Sequence, residues 1–178
     1  MHRVSRPFAL SLLLCLLSAA FLGCGGAGAR LHGRIYEDAE ARYRIGDLGD
    51  GWDSIHVARA NDLAWTHGAT GAIVQVNASC DPAADIPLAV LTNHLVAGFT
   101  GRDLREQAVV PLDGREALRT HLVASLDGVR RELLFYVMKK DECVYDFALI
   151  APEGESFEAG LLRFEPFVQG FTTEVPPP

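Results

Sequence analysis

The dipeptide Asp127-Gly128 lies between two long apolar segments and constrains the fold of this chain more than any other feature. Both residue types tolerate the backbone conformation of a two-residue hairpin turn, so Asp-Gly in this setting is a strong β-hairpin signal. The leucines of the preceding segment recur every four residues, a spacing that a helix would also produce. Because the turn needs a strand on each side, we interpret residues 115–126 and 129–139 as two paired strands.

Turn residues and apolar segments continue to alternate on both sides of this hairpin. Further strands are predicted over residues 42–45, 53–59 with 62–66, 72–80, 106–110 and 143–151, and helices over residues 87–99 and 156–169. Pro166 is expected to kink the second helix or end it early. The order contains no strand–helix–strand repeat, so the sequence predicts an α+β fold: a twisted antiparallel sheet of about six strands covered by two helices. This single domain is placed at residues 42–172, and residues 173–178 are expected to form a disordered tail.

The N-terminus is typical of an export signal. Two arginines precede the apolar run Phe8 to Phe21, which is too short to span a bilayer comfortably. The run ends at Leu22-Gly23-Cys24, which resembles a bacterial lipobox although Phe21 stands where leucine is usual. This resemblance implies cleavage before Cys24, lipid on that cysteine, a signal peptide at 1–23 and a flexible tether at 24–41. Ordinary secretory cleavage after Ala29 is the alternative, and an uncleaved anchor helix is a third possibility.

Export to an oxidising compartment would decide whether the remaining cysteines form a disulfide. Cys15 leaves with the leader and Cys24 is the lipid site, so Cys80 and Cys143 remain in the exported domain. Both lie on the apolar faces of their predicted strands, and an oxidising compartment favours a disulfide between them. Two separate buried thiols are the alternative.

The charge of the chain argues against a nucleic-acid partner. The formal net charge is −7, and loss of Arg3 and Arg6 with the leader leaves −9. Binding to a phosphate backbone needs clustered lysine and arginine, which an acidic domain of this size does not supply.

No motif in the sequence carries catalysis. The chain lacks the spacings typical of a zinc peptidase, a paired-cysteine metal site, a serine-nucleophile elbow or a phosphate-binding loop, so we expect no enzyme activity, no metal and no cofactor. If one sheet face is wet, it is a candidate partner-binding surface. The residues assigned to it are polar side chains on predicted strands: Gln75, Asn77, Arg119, His121 and Arg131.

The order of elements resembles the PsbP-like superfamily, which includes photosystem oxygen-evolving accessory proteins, Ran-binding nuclear transport factors and bacterial lipoproteins. The resemblance rests on RIGDLGDGW, the leucine-rich helix after AIVQV, VPLDGREAL and the closing helix with FVQGF. It implies a non-catalytic accessory or protein-binding module. From this resemblance together with the leader, we expect a lipid-anchored protein of a bacterial cell envelope, with an envelope protein as partner. Gly25 after the lipid site suggests the outer membrane by analogy with known sorting rules. The alternatives are a secreted or periplasmic protein, and a lipoprotein that binds a small molecule or a metal.

Overall fold

The Asp-Gly turns join long antiparallel strands in the computed structural model, which describes residues 29–56, 61–81 and 85–176. Four consecutive strands form a meander: β7 Thr100–Leu112, β8 Arg115–Leu126, β9 Val129–Lys140 and β10 Cys143–Ala151. Asp127 and Gly128 have φ angles of 50° and 79°, the left-handed values that this tight turn requires. The predicted strand over residues 115–126 is confirmed.

Three earlier strands complete the main sheet. They are β4 Trp52–Ser54, β5 Leu63–His67 and β6 Ala72–Ser79, and the sheet order is β4-β5-β6-β10-β9-β8-β7, with every pair antiparallel. The helices are α1 Leu88–Leu95 and α2 Glu155–Gln169. The α+β prediction is confirmed, with seven strands in the main sheet.

The two helices cover opposite faces of this sheet. The apolar stripe of α2, which includes Phe157 and Phe164, packs on a face built by alternate residues of β6 and β10 such as Val74 and Phe147. The α1 segment covers the other face, where Phe135 belongs to a second buried cluster. We call these the α2 face and the α1 face. Each long central strand is therefore buried on both sides, which explains why its sequence is apolar over most of its length.

Two helix predictions differ from the structure. α1 spans eight residues rather than 87–99, because residues 96–98 form a turn before β7 begins. α2 continues through Pro166 to Gln169. This proline lies in the last turn of α2. Its missing N–H removes one helical hydrogen bond, and that loss is too small to end the helix there.

Part of the predicted tether is folded. A separate small sheet contains β1 Arg30–His32, β2 Ile35–Glu37 and β3 Arg42–Arg44, so ordered structure begins before residue 42. Tyr36 and Tyr43 stack in it with ring centroids 4.9 Å apart, and both rings are buried. Strands of three residues are too short to show a hydrophobic period, which is why the sequence pattern did not predict them.

A buried polar contact fastens the small sheet to the main sheet. The Tyr43 hydroxyl donates to Asp62 Oδ2 at 3.0 Å, and the Ala78 backbone N–H donates to the same oxygen at 2.9 Å. Burial raises the pKa of Asp62, although both hydrogen bonds act in the opposite direction. Burial and the Asp62 charge also raise the pKa of Tyr43.

The residues after α2 are also held by hydrogen bonds, through Val175. Thr172 pairs with Arg44 in an isolated β-bridge, and Arg42 Nη1 donates to the Val175 carbonyl at 2.9 Å. The predicted disordered tail at 173–178 is therefore wrong for residues 173–175, while 177–178 lie outside the described residues. Hydrogen bonds to distant parts of the chain cause this order, and local sequence carries no sign of them.

A disulfide joins Cys80 to Cys143 across the boundary of β6 and β10. Ser79 pairs with Val144, so the next position in the register sets the two cysteines directly opposite each other, with Cα atoms 4.0 Å apart. The bond closes a loop between residues that are 63 apart in sequence.

Removal of the disulfide should lower the free energy of unfolding by about 4 kcal/mol, because the reduced unfolded chain regains the entropy of a long loop. Urea unfolding of the full chain with and without reductant, and of the double variant C80A/C143A, measures this loss. The reductant should have no further effect on the double variant. Equal midpoints for oxidised and reduced wild type would contradict the expectation.

A largely buried salt bridge at the turn between β7 and β8 also connects distant parts of the chain. Lys140 Nζ lies 2.9 Å from Asp113 Oδ2, and the Thr173 N–H donates to that same oxygen at 2.9 Å. The Lys140 and Asp113 side chains are only 12% and 10% exposed. Burial works against the charge of Asp113, but the bonds from Lys140 and Thr173 outweigh it and lower the pKa of the carboxyl group.

Replacing Asp113 by alanine should cost about 3 kcal/mol of stability, since the Lys140 ammonium and the Thr173 N–H lose the carboxylate they share, and the nearest other carboxylate oxygen, of exposed Glu174, is 4.0 Å from Lys140 Nζ. Asp113→Asn keeps a residue that tolerates the φ of 46° and should lose less. The folded pKa of Asp113 is depressed, so its contribution is present at neutral pH and is lost as pH falls below about 4. Urea unfolding of both variants at pH 7 and pH 3 checks this: a difference from wild type that does not shrink at pH 3 would contradict it.

Candidate functional site

The strand register divides the five predicted surface residues between the two sheet faces. Gln75, Asn77 and Arg131 point to the α1 face, whereas Arg119 and His121 point to the α2 face. The prediction of one common wet face is therefore wrong. Within one strand, alternate residues point to opposite faces of the sheet. Which residues of β6 share a face with which residues of β8 depends on the β6–β10, β10–β9 and β9–β8 registers, and these cannot be read from a single sequence.

Arg119 is engaged within the protein. Its Nη2 lies 2.9 Å from Glu165 Oε1 of α2, its Nη1 lies 2.8 Å from Glu106 Oε2 of β7, and its Nε donates to the Tyr136 hydroxyl at 3.1 Å. The side chain is 17% exposed. Burial opposes the charge, but the hydrogen bonds to Glu165 and Tyr136 raise the pKa of Arg119. These contacts connect α2 to β7, β8 and β9.

His121 is engaged in the same way. Its Nε2 lies 2.9 Å from Glu132 Oε1, and its ring stacks on Phe157 with centroids 4.9 Å apart and planes 4° apart. The other Glu132 oxygen accepts the backbone N–H of Gly154 at 3.1 Å, at the residue before α2. Arg119 and His121 therefore position α2 on the sheet and offer few polar atoms to a partner.

The α1 face contains a carboxyl group that the sequence reading missed. Asp146 pairs with Asn77 in the β6–β10 register, and Asn77 Nδ2 donates to Asp146 Oδ2 at 3.2 Å. Burial raises the pKa of Asp146 to about 6, and the hydrogen bond from Asn77 counteracts part of the rise. The only sequence sign was an aspartate within the otherwise apolar segment CVYDFALIA.

Arg131 does not join this polar pair. It lies on β9 six residues from Val137, the residue opposite Asp146, which corresponds to about 20 Å along the strand. Arg131 Nη1 donates to the carbonyl of its neighbour Arg130. Of the five predicted residues, Asn77 is the one that donates a hydrogen bond to Asp146, and Gln75 lies two positions away on the same face of β6.

A cavity lies beside the disulfide, at the turn between β9 and β10. It has a volume of about 510 Å³ and is lined mainly by charged side chains of both signs, among them Lys139, Lys140, Asp141 and Glu142. Lys139 contacts Asp85 at 2.8 Å and Lys140 contacts Asp113, so both ammonium groups already have carboxylate partners. Within residues 29–56, 61–81 and 85–176, no three His, Cys, Asp or Glu side chains are grouped so that they could hold a metal ion.

Cys24 lies outside the described residues, so its environment plays no part in the geometry above. In the described part of the chain, neither helix has the length and hydropathy needed to cross a bilayer.

Replacing Asp146 by asparagine should stabilise the protein by roughly 2 kcal/mol at pH 7, because it removes the cost of a charged carboxylate at this position. The folded pKa is raised, so this cost is fully present above about pH 6 and disappears as pH falls toward 4. The gain of Asp146→Asn over wild type should shrink over that range in urea unfolding. Asp53→Asn, at an exposed strand position, is the control and should show no such change. A gain that is constant from pH 7 to pH 4 would contradict the assignment.

Comparison with known proteins gives a fold and not a close relative. No family model matches the chain, and no curated protein matches it. Among solved structures, it is similar to the solution structure of cyanobacterial PsbP (CyanoP) from Synechocystis sp. PCC 6803, with a TM-score of 0.56 and 17% identity over 88% of this chain and 97% of that one.

A second similar structure is LpqN of Mycobacterium tuberculosis, which is described as involved in cell envelope biogenesis. The TM-score is 0.54 and the identity 13%, over 82% of this chain and 88% of that one. At these identities the likeness concerns the fold alone. The resemblance predicted from the order of strands, turns and helices is confirmed at that level: the chain has a PsbP-like fold.

Proposed function

We propose that this protein is a lipoprotein of the bacterial cell envelope that serves as a non-catalytic accessory or protein-binding module. The observation that carries the proposal is the N-terminal leader: an apolar segment with arginines before it and Leu22-Gly23-Cys24 at its end. In this proposal Cys24 becomes the first residue of the mature chain and carries the acyl groups, whose buried methylenes contribute on the order of 0.8 kcal/mol each.

The start of the small sheet makes the proposed tether short. Five residues separate Cys24 from Arg30, where β1 begins. At about 3.3–3.6 Å per extended residue, the lipid and the domain are within about 20 Å of each other. The domain would therefore work close to the membrane surface. By the sorting analogy for Gly25, we place it at the outer membrane.

The cysteine pair and the fold support the same compartment. A structural disulfide is typical of proteins in an oxidising environment such as the periplasm. The fold is shared with a PsbP protein and with LpqN, a protein of envelope biogenesis. An envelope protein is the proposed partner, and the acidic charge argues against nucleic acid.

The polar clusters of the described residues argue against a catalytic role. Arg119, His121 and Lys140 are each paired with a carboxylate that fastens one structural element to another. A catalytic group must instead present an unengaged atom to a substrate. The same argument weakens the alternative of a small-molecule binder, because the ammonium groups beside the 510 Å³ cavity are already neutralised.

Expression of the full chain in a bacterium with two membranes tests the anchor. We expect a mature protein that starts at Cys24, carries a mass increase from acyl chains, and sediments with the membranes. Cys24→Ala should remove the acyl mass and release the protein from the membranes, whereas Cys15→Ala, a matched change inside the leader, should alter neither. An unmodified Met1 in the cytosol, or a soluble product cleaved after Ala29, would falsify the lipid anchor.

A further inference from the structure

The main sheet has one long edge among the described residues. At one end lies β4, with three residues, and at the other lies β7, with thirteen. The outer side of β7 has no neighbouring strand in the part of the chain that the structure describes. Such an edge presents unpaired backbone N–H and C=O groups that another strand can bind.

The sequence of this edge is complementary to itself. Residues 102–106 read Arg-Asp-Leu-Arg-Glu. When two copies of this segment run antiparallel and pair about Leu104, Asp103 faces Arg105 of the second copy. In the same register Leu104 faces itself, so Asp103 and Arg105 each meet the opposite sign. The register shift between Leu104 and Glu106 keeps Glu106 out of this pairing. Opposite charges on directly paired residues stabilise a sheet, and like charges destabilise it.

The side chains of this segment are accessible to a second copy. Leu104 is 59% exposed, an unusual value for a large apolar residue within a strand. The Asp103 and Arg105 side chains are 52% and 50% exposed, and their mutual contact at 3.1 Å lies along the strand, not toward its neighbour. Glu106 contacts Arg119 but remains 58% exposed.

We propose that the protein forms a two-fold symmetric dimer in which β7 pairs antiparallel with β7 of a second copy, centred on Leu104. The two main sheets become one continuous sheet. Leu104 of each copy packs on the other across the two-fold axis, and the Asp103–Arg105 pair occurs twice. This inference goes beyond the proposed function and does not rest on the lipid anchor.

Two irregularities in β7 limit how far the pairing extends. The register with β8 shifts between Thr100 and Asp103 and again between Leu104 and Glu106. Bulges of this kind twist an edge and discourage long, open-ended pairing. The second shift falls at Arg105, so the contact is short and limited to residues 103–105. Each copy has one long edge, β7, and the two-fold contact pairs both of them. No long edge is left for a third copy, so the assembly is closed at two copies.

Cysteine cross-linking of the full chain tests the register. Directly opposed strand residues have Cα atoms about 4.5–5.5 Å apart, which suits a disulfide, so Leu104→Cys should give a covalent dimer on a non-reducing gel after mild oxidant is added. Val109→Cys is the matched control, since Val109 lies on the same strand and is also 59% exposed. In the proposed dimer the two copies of residue 109 are about 33 Å apart and should not cross-link. Wild type reports any dimer formed through Cys15 or Cys24.

Charge exchange tests the recognition. Asp103→Arg places like charges opposite each other twice and should reduce the Leu104→Cys dimer about tenfold or more. The double exchange D103R/R105D restores opposite charges in the same register and should restore the dimer. A circular dichroism melt of each variant verifies that the fold is retained.

Several results would overturn the dimer. Equal cross-linking at residues 104 and 109 would indicate random collision. Absence of the residue 104 dimer, or its linkage to a different protein instead, would mean that this edge does not pair with itself. Failure of D103R/R105D to recover the dimer would exclude the proposed register. Because the added oxidant acts in any compartment, none of these results depends on whether Cys24 is lipidated.

Discussion

The antiparallel register of β6, β10, β9 and β8 is the constraint on which the rest of the structure depends. Tight turns with left-handed residues, such as Asp127-Gly128, set the offset between consecutive strands. A shift by one residue would reverse the face of every side chain in the shifted strand. The observed register sets Cys80 opposite Cys143 and directs Arg119 toward Glu165 of α2. Cross-link, core and helix attachment therefore follow from one set of pairings.

The sequence predicted those parts of the fold that repeat a local pattern. The strand at residues 115–126 follows from its turn, and the pairing of Cys80 with Cys143 agrees with the expectation from two apolar strand faces. The helical stripes also suffice to locate α1 and α2, although not their ends. The strand and helix signals each lie within about fifteen consecutive residues, which is the range over which periodicity can be read.

The parts that were missed depend on contacts between distant residues. β1 and β2 are ordered because Tyr36 stacks on Tyr43, and Tyr43 in turn donates to Asp62. The C-terminal residues are ordered because Thr173 binds Asp113, sixty positions earlier. The prediction of one surface with five polar residues was wrong for a related reason. The alternation of side chains within one strand does not tell which of its faces lies on the same side of the sheet as a given face of another strand. Long-range pairing and phase are not properties of a local segment.

The buried ionic contacts share a position in the fold that bears on where a partner can bind. Arg119, His121 and Lys140 each lie where a peripheral element meets the sheet, and their polar atoms hold that element in place. Breaking such an ion pair leaves a buried charge without its counter-ion. These side chains are therefore poor candidates for leaving their internal partner to bind a ligand. Recognition is better served by groups that no internal contact saturates, such as the backbone edge of β7.

The geometry of the sheet keeps that edge away from the proposed lipid anchor. Residues of β1 line a small cavity together with residues at the start of β5, so the N-terminal end of the domain lies beside the β4–β5 side of the sheet. Six strand spacings of about 4.8 Å separate β4 from β7, a distance of about 29 Å. The tether reaches only about 20 Å, so lipid on Cys24 would hold the β4–β5 side near the membrane without covering β7. The proposed lipid anchor and the proposed β7 pairing would therefore use opposite sides of one sheet, and the two are compatible.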